Sequence, residues 1–336
     1  MKFGDKEEEK PTIKVGKGEI ESTEDYKYLG DKYDEEGSNM GKINKKMEKS
    51  NYMVSEVKRT GSYEEVGDAD TEVRMLLLQS VVKPTLLHST ETWINIKLRE
   101  WTKLSSDHNN ILRRTFEQKQ NTPYWGIIAE TGIWPYKYEV IYKRLMFYHD
   151  LVHSDEKRIA RRILLNQMEN IEKHTWYAGV EMCIREIGLE TTREEVEESS
   201  KYVWKTKVKN QITLKIQSEV ENKKGAMTKL RFVDKFEKKD YICRCNMAVV
   251  KRIMTMRLNM VEVKRNFRAK YNNMMCPACG DEEETTEHVI LCHEYKRIVG
   301  HNIDRIDMND LQWQIEASRV YKNIEETRRW LVEEKL

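Results

Sequence analysis

Apolar residues along the chain change their spacing once, near residue 37. Before it they alternate. Thr12-Ile13-Lys14-Val15 and Gly18-Glu19-Ile20 follow a period of about two, and Tyr26-Lys27-Tyr28-Leu29 closes on Gly30. That period predicts short strands joined by turns, a β-hairpin region at the N-terminus. After Gly37 and Ser38 the spacing becomes three and four. Ile43, Met47, Val54 and Val57 recur in it, with Asn39 available as a cap. Thr71 opens a second helix through Val73, Leu76, Leu77 and Val81, limited or kinked by Pro84. A third helix carries Trp101, Leu104, His108, Ile111, Leu112 and Phe116 on one stripe, which buries one face.

Gly132, Trp134 and Pro135 interrupt the pattern. Helices resume with Ile141, Leu145 and Tyr148, and again with Ile159, Ile163 and Met168. Thr192 with Glu195 three residues on is a capping-box pattern, opening a helix through Val203, Trp204 and Val208 that Gly225 ends. A further stretch includes Val249, Ile253 and Met256. The last helix runs from about Asp310 to Glu334 and carries Leu311, Ile315, Val320 and Ile324. The expected fold is mostly α.

Composition agrees with this picture. Of the 336 residues, 35% are charged and only 5 are proline, a mixture that suits long solvated helices. No apolar run approaches the roughly 18 residues a membrane helix needs. Met1-Lys2-Phe3-Gly4-Asp5-Lys6 lacks the apolar stretch of a secretory signal, so the expected location is intracellular, cytoplasmic or nuclear, with reduced thiols. The formal net charge is +2, which does not by itself point to nucleic acid; local clustering does more. Residues 41–59 carry a net of +4, with Lys42, Lys45, Lys46 and Lys49 at the front. Residues 201–231 carry +7. Residues 251–270 carry +6, through Lys251, Arg252, Arg257, Lys264, Arg265, Arg268 and Lys270. Such faces either stay solvated or bind phosphate backbones by releasing counterions. Tyr241, Phe267 and Tyr271 lie near the last cluster, where aromatics either stack on bases or belong to the core.

The sharpest chemistry is at the end of the chain. Cys276-Pro277-Ala278-Cys279 is a turn that aims two thiolates at one point. His288 and Cys292 are four apart, so on a helix they share a face. Thr285 or Thr286 can cap that helix. Three sulfurs and one imidazole make the closed tetrahedral set of a structural zinc ion, with no ligand position left for water. His293 points about 100° away on such a helix. Cys243-Arg244-Cys245 has no knuckle spacing and reads as two ordinary reduced cysteines. No Ser-His-Asp or Cys-His set, phosphate-cradling glycine loop or paired catalytic carboxylates stand out.

In order along the chain, several stretches resemble the C-terminal third of non-LTR (LINE-type) retrotransposon reverse transcriptases. They are Tyr26-Lys27-Tyr28-Leu29-Gly30 with Glu36-Gly37; Lys83-Pro84-Thr85-Leu86-Leu87-His88 with Glu91-Thr92-Trp93; Leu112-Arg113-Arg114 with Thr122-Pro123; and Met256-Arg257-Leu258-Asn259 leading into the Cys276–Cys292 set. His88-Ser89 stands where tyrosine-glycine is usual in that family. The resemblance implies a palm remnant with a primer-grip-like hairpin at 1–37, thumb-like helices at 38–132, a helical region at 133–270, a CCHC zinc knuckle at 271–300 and a terminal helix at 301–336. It implies binding of RNA or DNA, as template-primer or element RNA, through Tyr28, Gly30, Lys42, Lys45, Lys46, Lys49, Arg113, Arg114, Lys251, Arg252, Arg257, Lys264, Arg265 and Arg268.

The departures limit the expected activity. Polymerisation needs metal-binding carboxylates, including an Asp-Asp pair, and this sequence has none; Gly67-Asp68-Ala69-Asp70 reads as a helix-capping loop. The resemblance places the fingers and most of the palm upstream of Met1, and too few residues follow Cys292 for a restriction-like nuclease. The expectation is therefore a nucleic-acid-binding fragment without its own polymerase site, with no small-molecule substrate. The rival expectations are a helical protein-interaction module stapled by zinc, and a degenerate element remnant with no activity.

Overall fold

A computed structural model describes residues 39–60, 70–94, 96–170 and 175–333, together with the backbone of four short strands. Those strands form two antiparallel pairs, β1 (Ile13–Val15) with β2 (Gly18–Ile20) and β3 (Asp25–Tyr28) with β4 (Asp31–Asp34). Their turns and all their side chains lie outside the described residues. So do Gly30, the Tyr28 side chain and residues 67–69 of the acidic loop. The fold class rests on the helices, and it is mostly α.

In chain order the helices are α1 (Met40–Thr60), α2 (Asp70–Leu77), α3 (Lys83–Leu87), α4 (Leu98–Thr115), α5 (Tyr124–Thr131), α6 (Tyr136–Val152), α7 (Ile159–Glu169) and α8 (Trp176–Ile187). They continue with α9 (Arg193–Glu198), α10 (Lys201–Ala226), α11 (Asp240–Arg244), α12 (Met247–Arg257), α13 (Thr286–Leu291), α14 (His293–Val299) and α15 (Leu311–Glu333). A π-helical turn, Leu78–Val82, joins α2 to α3 directly before Pro84. A proline nitrogen cannot donate to the preceding turn, and the looser turn absorbs the missing bond, so Pro84 deforms the helix instead of ending it.

The chain divides into two compact units, each drawn from three separate stretches. The first takes Met1–Met53, Gln79–His108 and Pro135–Lys215; the second takes Val54–Leu78, Asn109–Trp134 and Ile216–Leu336. These units cut across the five consecutive segments expected from the sequence.

In the first unit α6 is central, with α3, the 3-10 turn Thr90–Thr92, α7, α8 and α9 against it. Its Ile141, Leu145 and Tyr148 are buried, as the spacing predicted. The α9–α10 region differs from expectation. Thr192 does cap, accepting from the Glu195 amide at 3.3 Å, but the helix it opens ends at Glu198. Ser199 is extended, and the Ser200 hydroxyl accepts from the Val203 amide, so α10 has its own start. Two adjacent serines favour caps over helix interiors. On α7 the expected stripe is turned outward: Ile159 and Ile163 are exposed, and Leu164 is the buried residue. Helix α8 was not anticipated; its Thr175 cap and its Gly188 terminus are both standard signals.

In the second unit α15 lies against α11, α12, α13 and α14, and α2 lies against α11 and α12. Ile324 and Val320 of α15 are buried and Leu311 and Ile315 half-buried, so its apolar stripe is largely covered. This unit buries a charged cluster within its apolar core. Glu130, fully buried on α5, accepts from Arg257 Nε at 2.7 Å and from the Tyr241 hydroxyl at 2.8 Å. Arg257 also donates to the carbonyls of Phe232 and Met308.

Candidate metal centre

The four expected ligands converge. The donor atoms of Cys276, Cys279, His288 and Cys292 all lie within 4.8 Å of one another. Cys276 Sγ and Cys292 Sγ are 4.0 Å apart, and Cys279 Sγ is 3.4 Å from His288 Nε2. A tetrahedral zinc ion at about 2.3 Å from sulfur and about 2.0 Å from nitrogen spaces its ligands by roughly 3.3–3.8 Å. The residues fit the ion.

Local sequence builds this geometry. The Gly280 amide returns to the Cys276 carbonyl at 3.0 Å, and Gly280 takes φ +78°, a left-handed conformation that favours glycine. The Cys276 amide donates to the Glu282 carbonyl at 2.7 Å and the Glu284 amide to the Met274 carbonyl at 2.8 Å, which closes the Cys276–Cys279 turn on the return strand. Thr285 accepts from the His288 amide at 3.0 Å and starts α13. Cys292 is not inside one helix with His288, as the spacing suggested. It is the hinge between α13 and α14, in an extended conformation, although its amide still reaches the His288 carbonyl at 2.6 Å.

The thiols differ in their surroundings. Burial pushes the Cys276 thiol up to about 12 and raises Cys292 as well. Burial also acts to raise Cys279, but the amides of Asp281 and Glu282 and the His288 ring bring it down to about 7. Amides of Glu294 and Tyr295, at the start of α14, face Cys292. Thiolate ligands are thus met by N–H donors, which suits negative sulfur.

Sequence reasoning missed the groups behind the ligands. Glu282 Oε2 is 3.0 Å from His288 Nδ1, which fixes the ring and leaves Nε2 for a metal. Glu284 is fully buried; it accepts from Arg328 Nε at 2.6 Å, Arg328 Nη2 at 2.9 Å and the Lys264 amide at 2.8 Å. The acidic run Glu282-Glu283-Glu284 was the visible signal. His293 is exposed and pairs with Glu294. Cys243 is half-buried and Cys245 buried, and the Cys245 carbonyl accepts from Thr71.

The residues expected to bind nucleic acid scatter. Lys45 and Lys49 are exposed, Lys42 is 7% exposed, and Lys46 donates to the His88 carbonyl beside the Trp93 ring. Arg113 donates to the Thr122 carbonyl and Arg114 to the Ser55 hydroxyl. Arg257 is a correction: it is 1% exposed and neutralises Glu130 inside the second unit, so it has no surface to offer a phosphate. Lys264 Nζ donates to the Met275 carbonyl and Arg265 pairs with Glu283 at 2.6 Å, both holding the knuckle. Arg252 is half-buried; Lys251 and Arg268 are exposed.

No protein-family model matches this chain, and no curated protein or solved structure matches it either.

Proposed function

We propose that this chain is a zinc-stapled, nucleic-acid-binding helical protein, the counterpart of the thumb and knuckle region of a non-LTR retrotransposon reverse transcriptase. It has no polymerase site of its own and works on RNA or DNA inside the cell. The observation that carries the reading is the closed set of Cys276, Cys279, His288 and Cys292, with its ligands in the order and spacing of that family's knuckle. The ion would be held by three thiolates and His288 Nε2, and its role is to fix the fold of residues 274–292.

The second reading is a helical protein-interaction module, and one observation favours it. Arg257 and Lys264, two of the six cations expected to bind within 251–270, are committed to internal partners, and Arg265 is paired with Glu283 at the surface. Anisotropy titration of a labelled single-stranded RNA against zinc-loaded protein separates the two. The nucleic-acid reading expects log affinity to fall with log salt by about 0.7 per neutralised phosphate. Absence of binding, or affinity indifferent to salt, would favour the interaction module.

A further inference from the structure

The segment Lys264–Lys270 divides at Phe267, where the backbone leaves the helical region at φ −132° and ψ 47°. Before the break the backbone amides turn inward, although the Arg265 side chain is exposed. The amides of Lys264 and Arg265 reach Glu284, and Asn266 donates to the Val261 carbonyl and the Thr286 hydroxyl. Arg268, Ala269 and Lys270, after the break, are exposed. Phe267 itself is half-buried, with Lys270 Nζ 5.3 Å and Lys119 Nζ 5.7 Å from its ring centre.

Those ammonium distances lie near the outer limit of about 6 Å for a cation over a ring. A flat group can exchange places with them. Lys119 also pairs with Glu262 at 2.7 Å, but the two side chains are 44% and 50% exposed, and such a surface pair holds little free energy. The neighbouring aromatic, Tyr271, is engaged by Arg328. Phe267 is thus an aromatic face flanked by two cations, Lys119 and Lys270, with the exposed Arg268 next to it in the chain, on the rim of the knuckle segment.

From this arrangement we infer that Phe267 is a stacking platform for one unpaired base of a single-stranded nucleic acid, with Lys119, Arg268 and Lys270 on the flanking phosphates. The inference rests on the nucleic-acid reading above and adds a strand preference to it. A duplex keeps its bases stacked on each other and cannot present a free ring face, whereas a single strand can. The cations alone would take either.

Zinc-loaded full-length protein should therefore bind a single-stranded oligonucleotide better than a blunt-ended, loop-free duplex of equal charge. Phe267→Leu should weaken single-strand binding by roughly 5- to 100-fold, leaving duplex binding and the salt slope unchanged; Phe267→Tyr should restore it. Lys119→Gln with Lys270→Gln should instead reduce the salt slope by about 1.4, two phosphates' worth. Zinc content checks that each variant is folded. Should Phe267→Leu lose zinc, photocrosslinking of wild-type protein to an iodouridine-bearing strand replaces it, and the adduct should fall on the peptide holding Phe267. If wild-type protein binds no oligonucleotide, the nucleic-acid reading fails and the platform with it. If it binds with a salt slope, but Phe267→Leu is silent or the adducts lie elsewhere, the platform alone is overturned.

Discussion

Arg257→Met would strand the Glu130 carboxylate, which has no exposure to water and relies on Arg257 Nε at 2.7 Å. Removing one partner of a buried pair costs about 3–5 kcal/mol, and removing both far less. Urea denaturation of zinc-loaded protein should show that loss for Arg257→Met and substantial recovery when Glu130→Gln is added. A loss below about 1 kcal/mol would mean that Arg257 is not buried in solution. The contrast with the metal ligands explains what a sequence shows. Cys276, Cys279, His288 and Cys292 define one another within a short stretch, so type and spacing suffice. Arg257 is defined by Glu130, 127 residues away, and by the distant carbonyls of Phe232 and Met308, so a charge count placed it on the surface. His108, on the α4 stripe, is a second buried group. Burial, with Lys83 adding to it, pushes its imidazole down to about 3. The folded state holds it neutral, while the unfolded state takes up a proton below about 6.5. Stability from this site is unaffected above that pH and declines as pH falls from about 6.5 towards 3, at up to about 1.4 kcal/mol per unit. The Tm advantage of wild type over His108→Phe should shrink between pH 7 and pH 4. An advantage constant over that range would contradict a buried neutral imidazole.

At the scale of elements, the knuckle and α15 share one buried charge pair. Glu284 sits between the metal ligands in sequence, and Arg328 lies on α15. Chelating the metal, or Cys279→Ala, should release the 274–292 segment, since the site's formation drives its folding. Glu284 then loses its fixed position, and Arg328 is left buried without a carboxylate. Hydrogen exchange should accelerate across 272–300 and along α15 near Arg328. Unchanged exchange in α15 after complete zinc loss would show that the two elements are not coupled. Most elements could be read from the three-and-four spacing, and α4 and α6 bury the residues that spacing named, apart from the half-buried Trp101. The exceptions have physical causes. The α7 stripe of Ile159 and Ile163 faces outward because burial depends on which helices neighbour it, and periodicity does not specify that. The run from Thr192 to Val208 was read as one helix because apolar spacing carries across the Ser199-Ser200 break.

For the whole molecule, the strongest expectation concerns what it does not catalyse. Phosphoryl transfer onto a primer needs two metal ions held by carboxylates. The sequence contains no Asp-Asp pair, the feature on which this expectation turns. Purified protein should show no primer extension on RNA or DNA templates with magnesium or manganese. Extension by clean protein that vanished on mutating a specific aspartate would overturn the assignment. Unit boundaries were the least legible level. A reading along the chain produces consecutive domains, whereas each unit here is assembled from three stretches, and which stretches meet is a property of tertiary packing.

That interleaving has a consequence during synthesis. The second unit's first stretch, Val54–Leu78, leaves the ribosome long before the third, which begins at Ile216, about 140 residues later. At roughly 5–20 residues per second, it waits on the order of 7–30 s for the segment that covers it. During that interval Leu78, fully buried at the end, has only part of its eventual surroundings. The metal ligands emerge later still, so a nascent chain cannot use zinc to secure the unit early. Slower translation would lengthen that exposed interval, and the cell's chaperones, more than the metal, would guard this half of the protein while it is being made.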